Sequence, residues 1–174
     1  MQPKSSTDTP PADEPFLLEE FLPYELSVAA NRASRLFARR YSEAFGLSIA
    51  EWRVMAMVGR FGTISPGAVA ERAEMDKVKV SRAVASLVAA GLAEQGPDPQ
   101  DGRARLLRLT RKGRHMHQDI VPLARTLEAQ LAAGLSADEW AALRNCLRKL
   151  YAHVRRLDAA EPRPKDGKAT RLPE

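Results

Sequence analysis

Between Asp76 and Ala90 the sequence carries two faces at once. Val80, Val84, Leu87 and Val88 recur at helical spacing and make one inward apolar stripe. Val78, Arg82, Ala85, Ser86 and Ala89, flanked by Lys79 and Ser81, make the opposite face. Residues this small let a helix approach the floor of a groove. Arg82 can address guanine O6 and N7, Ser81 and Ser86 can bond bases or phosphate, and Val78 can touch a thymine methyl. Lys77 and Lys79, near the helix start, suit phosphates. The same face also fits a plain solvated amphipathic helix, so the neighbouring chain has to decide. Residues 96–114 hold six basic side chains (Arg103, Arg105, Arg108, Arg111, Lys112, Arg114) against Asp98 and Asp101. An arginine at the tip of such a turn can enter a narrow minor groove, whose negative potential favours a guanidinium. Asp101 would then pair with Arg103 or Arg105 and hold it in a bidentate pose that lysine cannot reproduce. A surface hairpin with an ordinary ion pair is the other reading.

Other chemistry is sparse. There is no Ser/His/Asp arrangement, Gly-x-Ser-x-Gly, phosphate loop or metal motif, so an enzyme is not expected. His115 and His117 are two apart and project about 200° from one another on a helix, and His153 is on another helix, so no metal or other cofactor is expected. The single cysteine, Cys146, falls beside Leu143 and Leu147 and reads as an inert, buried small hydrophobe rather than a redox sensor.

The elements that must position these residues are mostly helical. Leu26, Ala30, Ala33, Phe37, Ala44 and Phe45 support a first helix over 23–45, ended by Gly46. Leu47-Ser48-Ile49-Ala50-Glu51-Trp52 contains a capping box with a hydrophobic staple around it, and Leu135-Ser136-Ala137-Asp138-Glu139-Trp140 repeats the pattern. Two helices should start there. Ser65-Pro66 opens a short third helix to about Ala73, and Asp76 caps a fourth that Gly91 terminates. The period then changes: residues 92–95 and 105–109 are strand candidates joined by a Gly- and Pro-rich turn. Thr110 caps a fifth helix, which Pro122 should bend. A sixth follows Ser136, with Leu143, Leu147, Leu150, Val154 and Leu157 at coiled-coil-like spacing. The predicted fold is mainly α with a small β-hairpin wing, a winged helix-turn-helix lobe inside a helical frame.

The chain has 174 residues, with 27 Lys plus Arg against 22 Asp plus Glu and a formal charge of +5. Residues 1–23 carry one lysine against five acids, and 158–174 balance. Residues 24–157 therefore hold 22 basic and 13 acidic side chains, a basic body that suits a polyanionic partner. Residues 1–15 and 158–174, rich in Pro and polar or charged residues, read as disordered tails. The start lacks an apolar signal region. The longest nearly apolar run, Ala83 to Ala93, is far short of the roughly 20 residues that span a bilayer. With one cysteine these features predict a cytoplasmic protein and no membrane partner.

The stretch Asp76-Lys77-Val78-Lys79-Val80-Ser81-Arg82 through Gly91-Leu92, then Asp98-Pro99-Gln100-Asp101-Gly102-Arg103-Ala104 and Leu109-Thr110-Arg111-Lys112-Gly113, resembles the MarR family of bacterial transcriptional regulators. The resemblance covers about 24–157. It implies a homodimer built by helices one, five and six (about 23–45 and 111–157), a DNA-binding lobe over 47–110 within a 16–157 domain, and repression relieved by a small aromatic ligand. By position Arg103 becomes the wing-tip residue, Asp101 its orienting partner, and Ser81 and Arg82 recognition-helix contacts. Leu22-Pro23-Tyr24-Glu25-Leu26-Ser27 with Glu51-Trp52-Arg53-Val54 is similar to the NicR/BpsR-like branch, which responds to hydroxylated pyridine carboxylates. The family's ligand cleft suggests Trp52 and Met55 as walls, with Arg35 and His115 neutralising a carboxylate. Each also has a duller role: Trp52 as staple, Met55 as core, Arg35 and His115 as solvated surface. A constitutive architectural DNA-binding protein without a ligand is the competing function. RNA is disfavoured by the lack of an aromatic stacking platform.

Overall fold

The computed structural model describes residues 15–100 and 104–160. The expected tails fall largely, and Asp101, Gly102 and Arg103 wholly, outside the described residues. The chain divides into two units, Met1–Arg125 and Thr126–Glu174.

In the first unit a short 3-10 turn, Leu18–Glu20, leads into α1 (Leu22–Phe45). α1 stops at Gly46, whose left-handed backbone (φ 66°) lets its N–H reach back to the Ser42 carbonyl. α2 (Ile49–Phe61) opens with the predicted capping box: Glu51 N–H donates to Ser48 Oγ at 3.3 Å, and Ser48 N–H donates to Glu51 Oε2 at 2.6 Å. Gly62 then turns the chain into β1 (Thr63–Ile64), a two-residue strand that no sequence period announces. α3 (Pro66–Arg72) is capped by Ser65, and α4 (Lys77–Ala89) follows after a tight turn. β2 (Ala93–Pro97) and β3 (Arg105–Leu109) form the wing hairpin, with Ala93 opposite Leu109 and Pro97 opposite Arg105. β3 is central, since β1 pairs along its other edge, Thr63 opposite Arg108. Along β3, Leu107 and Leu109 are buried and Arg105 and Arg108 exposed, the two-residue alternation of a half-buried strand.

The core of this unit is Val54, Met55 and Val58 from α2, Val69 and Ala70 from α3, Val80, Ala83, Val84 and Leu87 from α4, and Leu92, Leu107 and Leu109 from the wing. Val88, assigned above to the inward stripe, is 39% exposed, and Ala83 takes its place. At 100° per residue positions 83 and 88 flank the stripe of Val80, Val84 and Leu87 on opposite sides at nearly equal angles, so packing rather than spacing decides which of them is covered.

α5 (Arg111–Ala132) begins in the first unit and runs through Pro122 as a single helix into the second. In the second unit α6 (Ala137–Ala160) opens with the other capping box, Ser136 N–H to Glu139 Oε2 at 2.7 Å and Glu139 N–H to Ser136 Oγ at 3.3 Å. Arg144 pairs with Glu128 at 2.9 Å. α6 buries none of its residues, and Leu143, Leu147, Val154 and Leu157 are exposed. Cys146 lies on this helix and is exposed, against the expectation of a buried thiol: helical spacing identifies an apolar stripe, but the described residues leave it open to solvent. No helix among the described residues is long and apolar enough to cross a membrane.

Candidate nucleic-acid interface

α4 is set by its two ends. Asp76 Oδ1 accepts from the N–H groups of Val78 (2.8 Å) and Lys79 (3.1 Å), satisfying two of the donors that a helix start leaves unpaired. At the other end Gly91 (φ 68°) lets Leu92 N–H bond the Leu87 carbonyl at 2.9 Å, and Leu92 drops into the core. Between these clamps Val80, Ala83, Val84 and Leu87 are buried, while Lys77, Val78, Lys79, Ser81, Arg82, Ala85, Ser86 and Ala89 are exposed. Val78 is a valine at 56% exposure in the first turn, where solvation alone gives no reason for it. The predicted set Lys77, Val78, Lys79, Ser81, Arg82 and Ser86 therefore occupies one presented surface.

Beside it lies a residue to which local spacing assigns only a capping role. Glu51 lines a hollow of about 450 Å³ with Ser48, Ala50, Asp76, Val78, Lys79, Arg82 and Ala83. Partial burial pushes its carboxyl up, but hydrogen bonds with the Ser86 and Ser48 hydroxyls and the Ser48 N–H outweigh this and hold it below the ordinary range. Glu51 thus closes the α2 cap and reaches across to α4. The capping-box pattern accounted for it completely, and nothing in the local spacing pointed to Ser86.

The wing rises next to α4. Asp98 N–H donates to the Ala104 carbonyl at 3.0 Å, and Asp98 Oδ1 accepts from Gln100 N–H at 2.9 Å, so the hairpin continues past the last paired strand residue and begins its turn. Arg105 is exposed on β3. Arg108 pairs across the strands with Glu94, Nε to Oε1 at 2.9 Å. The expected contact of Asp101 with Arg103 or Arg105 lies outside the described residues.

Leu109-Thr110-Arg111-Lys112-Gly113 proves to be the joint that holds helix, wing and α5 together. Thr110 Oγ donates to the Gly91 carbonyl (2.7 Å) and accepts from Gly113 N–H (3.0 Å), capping α5 while gripping the end of α4. Gly113 lies so close to Leu92 that an added Cβ would sit 1.8 Å from its carbonyl oxygen. Lys112 Nζ reaches the Ala90 carbonyl at 3.0 Å, at the negative end of α4, and Arg114 Nη1 the Leu109 carbonyl at 2.8 Å. Two of the six cations counted with the hairpin are thereby engaged in holding the joint.

The four residues assigned to a ligand pocket fall in different environments. Trp52 is half-buried, tilted on Tyr41 at 5.5 Å between centroids. Its other ring partner is His117, stacked at 5.8 Å, whereas His115 is exposed. Met55 is wholly buried, and Arg35 is exposed on α1.

A capped helix with a small, polar and cationic outer face, joined to a basic hairpin, is the pattern of a winged helix-turn-helix. Residues 45–104 match the model of the MarR family. That match runs from the end of α1 through α2, α3, α4 and β2. A probable transcriptional regulator from Pseudomonas aeruginosa is 28% identical (TM-score 0.70), covering 77% of this chain and 99% of that one. Bordetella bronchiseptica BpsR, whose DNA binding is regulated by 6-hydroxynicotinic acid, is 26% identical (TM-score 0.74; 79% and 98%). A mutant MarR from E. coli, solved in complex with operator DNA, is 25% identical (TM-score 0.70; 78% and 99%). No curated protein matches the sequence. The MarR family and these neighbours are transcription regulators rather than enzymes.

Proposed function

We propose that this chain is a MarR-family regulator: a cytoplasmic, homodimeric, sequence-specific DNA-binding repressor released by a small aromatic acid, such as a hydroxylated pyridine carboxylate. The observation that carries the reading is the outer face of α4, where Val78, Ser81 and Arg82 stand exposed between the Asp76 cap and the wing. In this reading Arg82 reads a guanine edge, Ser81 and Ser86 bond bases or phosphate, Lys77 and Lys79 hold phosphates, and Arg103, oriented by Asp101 and helped by Arg105, enters the flanking minor groove. Two α4 helices would occupy successive major grooves about 10 bp apart in a pseudo-palindrome. The likeness to MarR, solved on its operator, supports the docking, and that to BpsR supports the effector class. The NicR/BpsR-like branch and a pocket using Arg35, Trp52, Met55 and His115 belong to this proposal. A ligand could release DNA only through its different affinity for the bound and free forms.

Selection of bound duplexes from a random library, repeated with a panel of aromatic acids, tests it. One recovered pseudo-palindrome, lost with one of the acids, is the expected result. Recovery of unrelated sequences indifferent to all acids would instead mark a constitutive architectural protein.

A further inference from the structure

Glu51 of α2 faces one flank of α4. Lys79, Arg82 and Ala83 line the hollow that it shares with them, and Ser86 completes their i, i+3, i+4, i+7 series on the same side of the helix. The carboxyl has a partner on each helix. Ser48 N–H donates to Oε2 at 2.6 Å at the start of α2, and the Ser86 hydroxyl bonds the carboxyl from α4. Held below the ordinary range, the group is a carboxylate at neutral pH and can only accept. Ser86 is therefore the donor. A hydroxyl has one proton and two lone pairs, so this bond uses all that Ser86 has to donate. The residue stays exposed on the presented face of α4, with acceptor capacity alone.

We propose that Ser86 reads only amino groups in the major groove, adenine N6 or cytosine N4, and that Glu51 is the positioning residue that imposes this restriction. The inference rests on the DNA-binding reading above and narrows it. Phosphate oxygens, purine N7, guanine O6 and thymine O4 are all acceptors. Against a hydroxyl whose proton is already committed, each of them sets lone pair against lone pair. The amino groups of adenine and cytosine are the donors on the major-groove edge. The carboxylate behind Ser86 acts in the same direction, repelling phosphate and attracting the positive end of an N–H. Of the two partners open to Ser86, base or phosphate, the phosphate is thereby removed. Ser81, turned about 140° from Ser86 around the helix, is not on that flank and keeps both.

Selection of bound duplexes from a random library, run on the full-length parent, Ser86→Ala and Glu51→Gln, locates the contact. Alanine suits an exposed helical position, so Ser86→Ala folds, and the base position whose preference it abolishes is the one that Ser86 reads. The amino group at that position is then deleted, with purine in place of adenine or 2-pyrimidinone in place of cytosine. The deletion should cost the parent about fivefold more affinity than it costs Ser86→Ala, a neutral hydrogen bond's worth. Glutamine keeps the capping box, because its amide oxygen can accept from Ser48 N–H. Its amide N–H then turns to Ser86 and frees the hydroxyl proton. Glu51→Gln should therefore admit guanine or thymine where the parent selects adenine or cytosine. A uniform loss on every sequence in Ser86→Ala would make Ser86 a phosphate contact, and an unaltered selection would remove it from the interface. An equal cost of the missing amino group in parent and Ser86→Ala, or the parent's preference kept whole in Glu51→Gln, would also overturn the inference. None of these results touches the DNA-binding reading. That reading fails, and takes this inference with it, only if the parent recovers no common site.

Discussion

His117 shows how a single side chain ties stability to pH. Its ring stacks on Trp52 at 5.8 Å and rests on Gly59, and burial holds its imidazole below the ordinary value of 6.5. The folded chain therefore binds this proton more weakly than the unfolded chain does. Stability is full above pH 6.5 and declines as pH falls below it. Thermal unfolding midpoints at about pH 7.5 and 5.5, either side of that value, should show the decline in the parent and a smaller one in His117→Gln. An equal decline in both would place the titrating group elsewhere. Arg82 belongs to the same scale. If it reads a base, Arg82→Ala should cost about 1–3 kcal/mol of operator affinity and relax preference at one position in a binding-site selection. A uniform loss on every sequence would make it a backbone contact.

Among elements, the joint between α4, the wing and α5 leaves the least room. In Gly113→Ala the new methyl would meet the Leu92 carbonyl oxygen, which already accepts from Thr110 N–H at 3.1 Å, so backbone would have to move. In Gly59→Ala the obstacle is the His117 ring, 2.6 Å away but at the end of a side chain that can turn. Overpacking costs about 1–3 kcal/mol and sometimes more, while alanine regains roughly 1 kcal/mol of helix propensity at either helical position. Chemical denaturation should therefore rank Gly113→Ala well below Gly59→Ala, and the reverse order would contradict such a close approach at the joint. Asp76→Ala removes an acceptor for two N–H groups and should cost about 1 kcal/mol, typical of a lost N-cap.

At the scale of the molecule, α6 is the part that one chain leaves unexplained. A 24-residue helix with no buried residue leaves Leu143, Leu147, Val154 and Leu157 exposed among the described residues. Burying such side chains is worth about 1.5–3 kcal/mol each, which is why the homodimer forms part of the proposed function. Sedimentation of the parent should give a dimer, and Leu147→Asp combined with Val154→Asp a monomer with weakened operator binding. A parent that sediments as a monomer would remove the twofold docking. Operator affinity should also fall steeply with salt, because lysines and arginines on phosphates release counterions.

The order of the helices, both capping boxes, the Asp76 and Thr110 caps, the wing strands and the two-faced α4 were all legible in the chain. Each depends on residues within about one helical turn or one strand repeat of each other, where spacing alone dictates geometry. What spacing could not supply was decided by packing between distant segments. β1 exists because β3 offers it an edge, and two residues show no period of their own. Glu51 meets Ser86, His117 rather than His115 meets Trp52, and Lys112 closes α4, each across a separation that no local pattern reports. Gly113 could be seen in a motif, but only the approach of the Leu92 carbonyl gives the reason for it. A sequence states which chemistry each segment can present; which partners that chemistry meets is settled by long-range contacts, which fold the segments together at the expense of chain entropy.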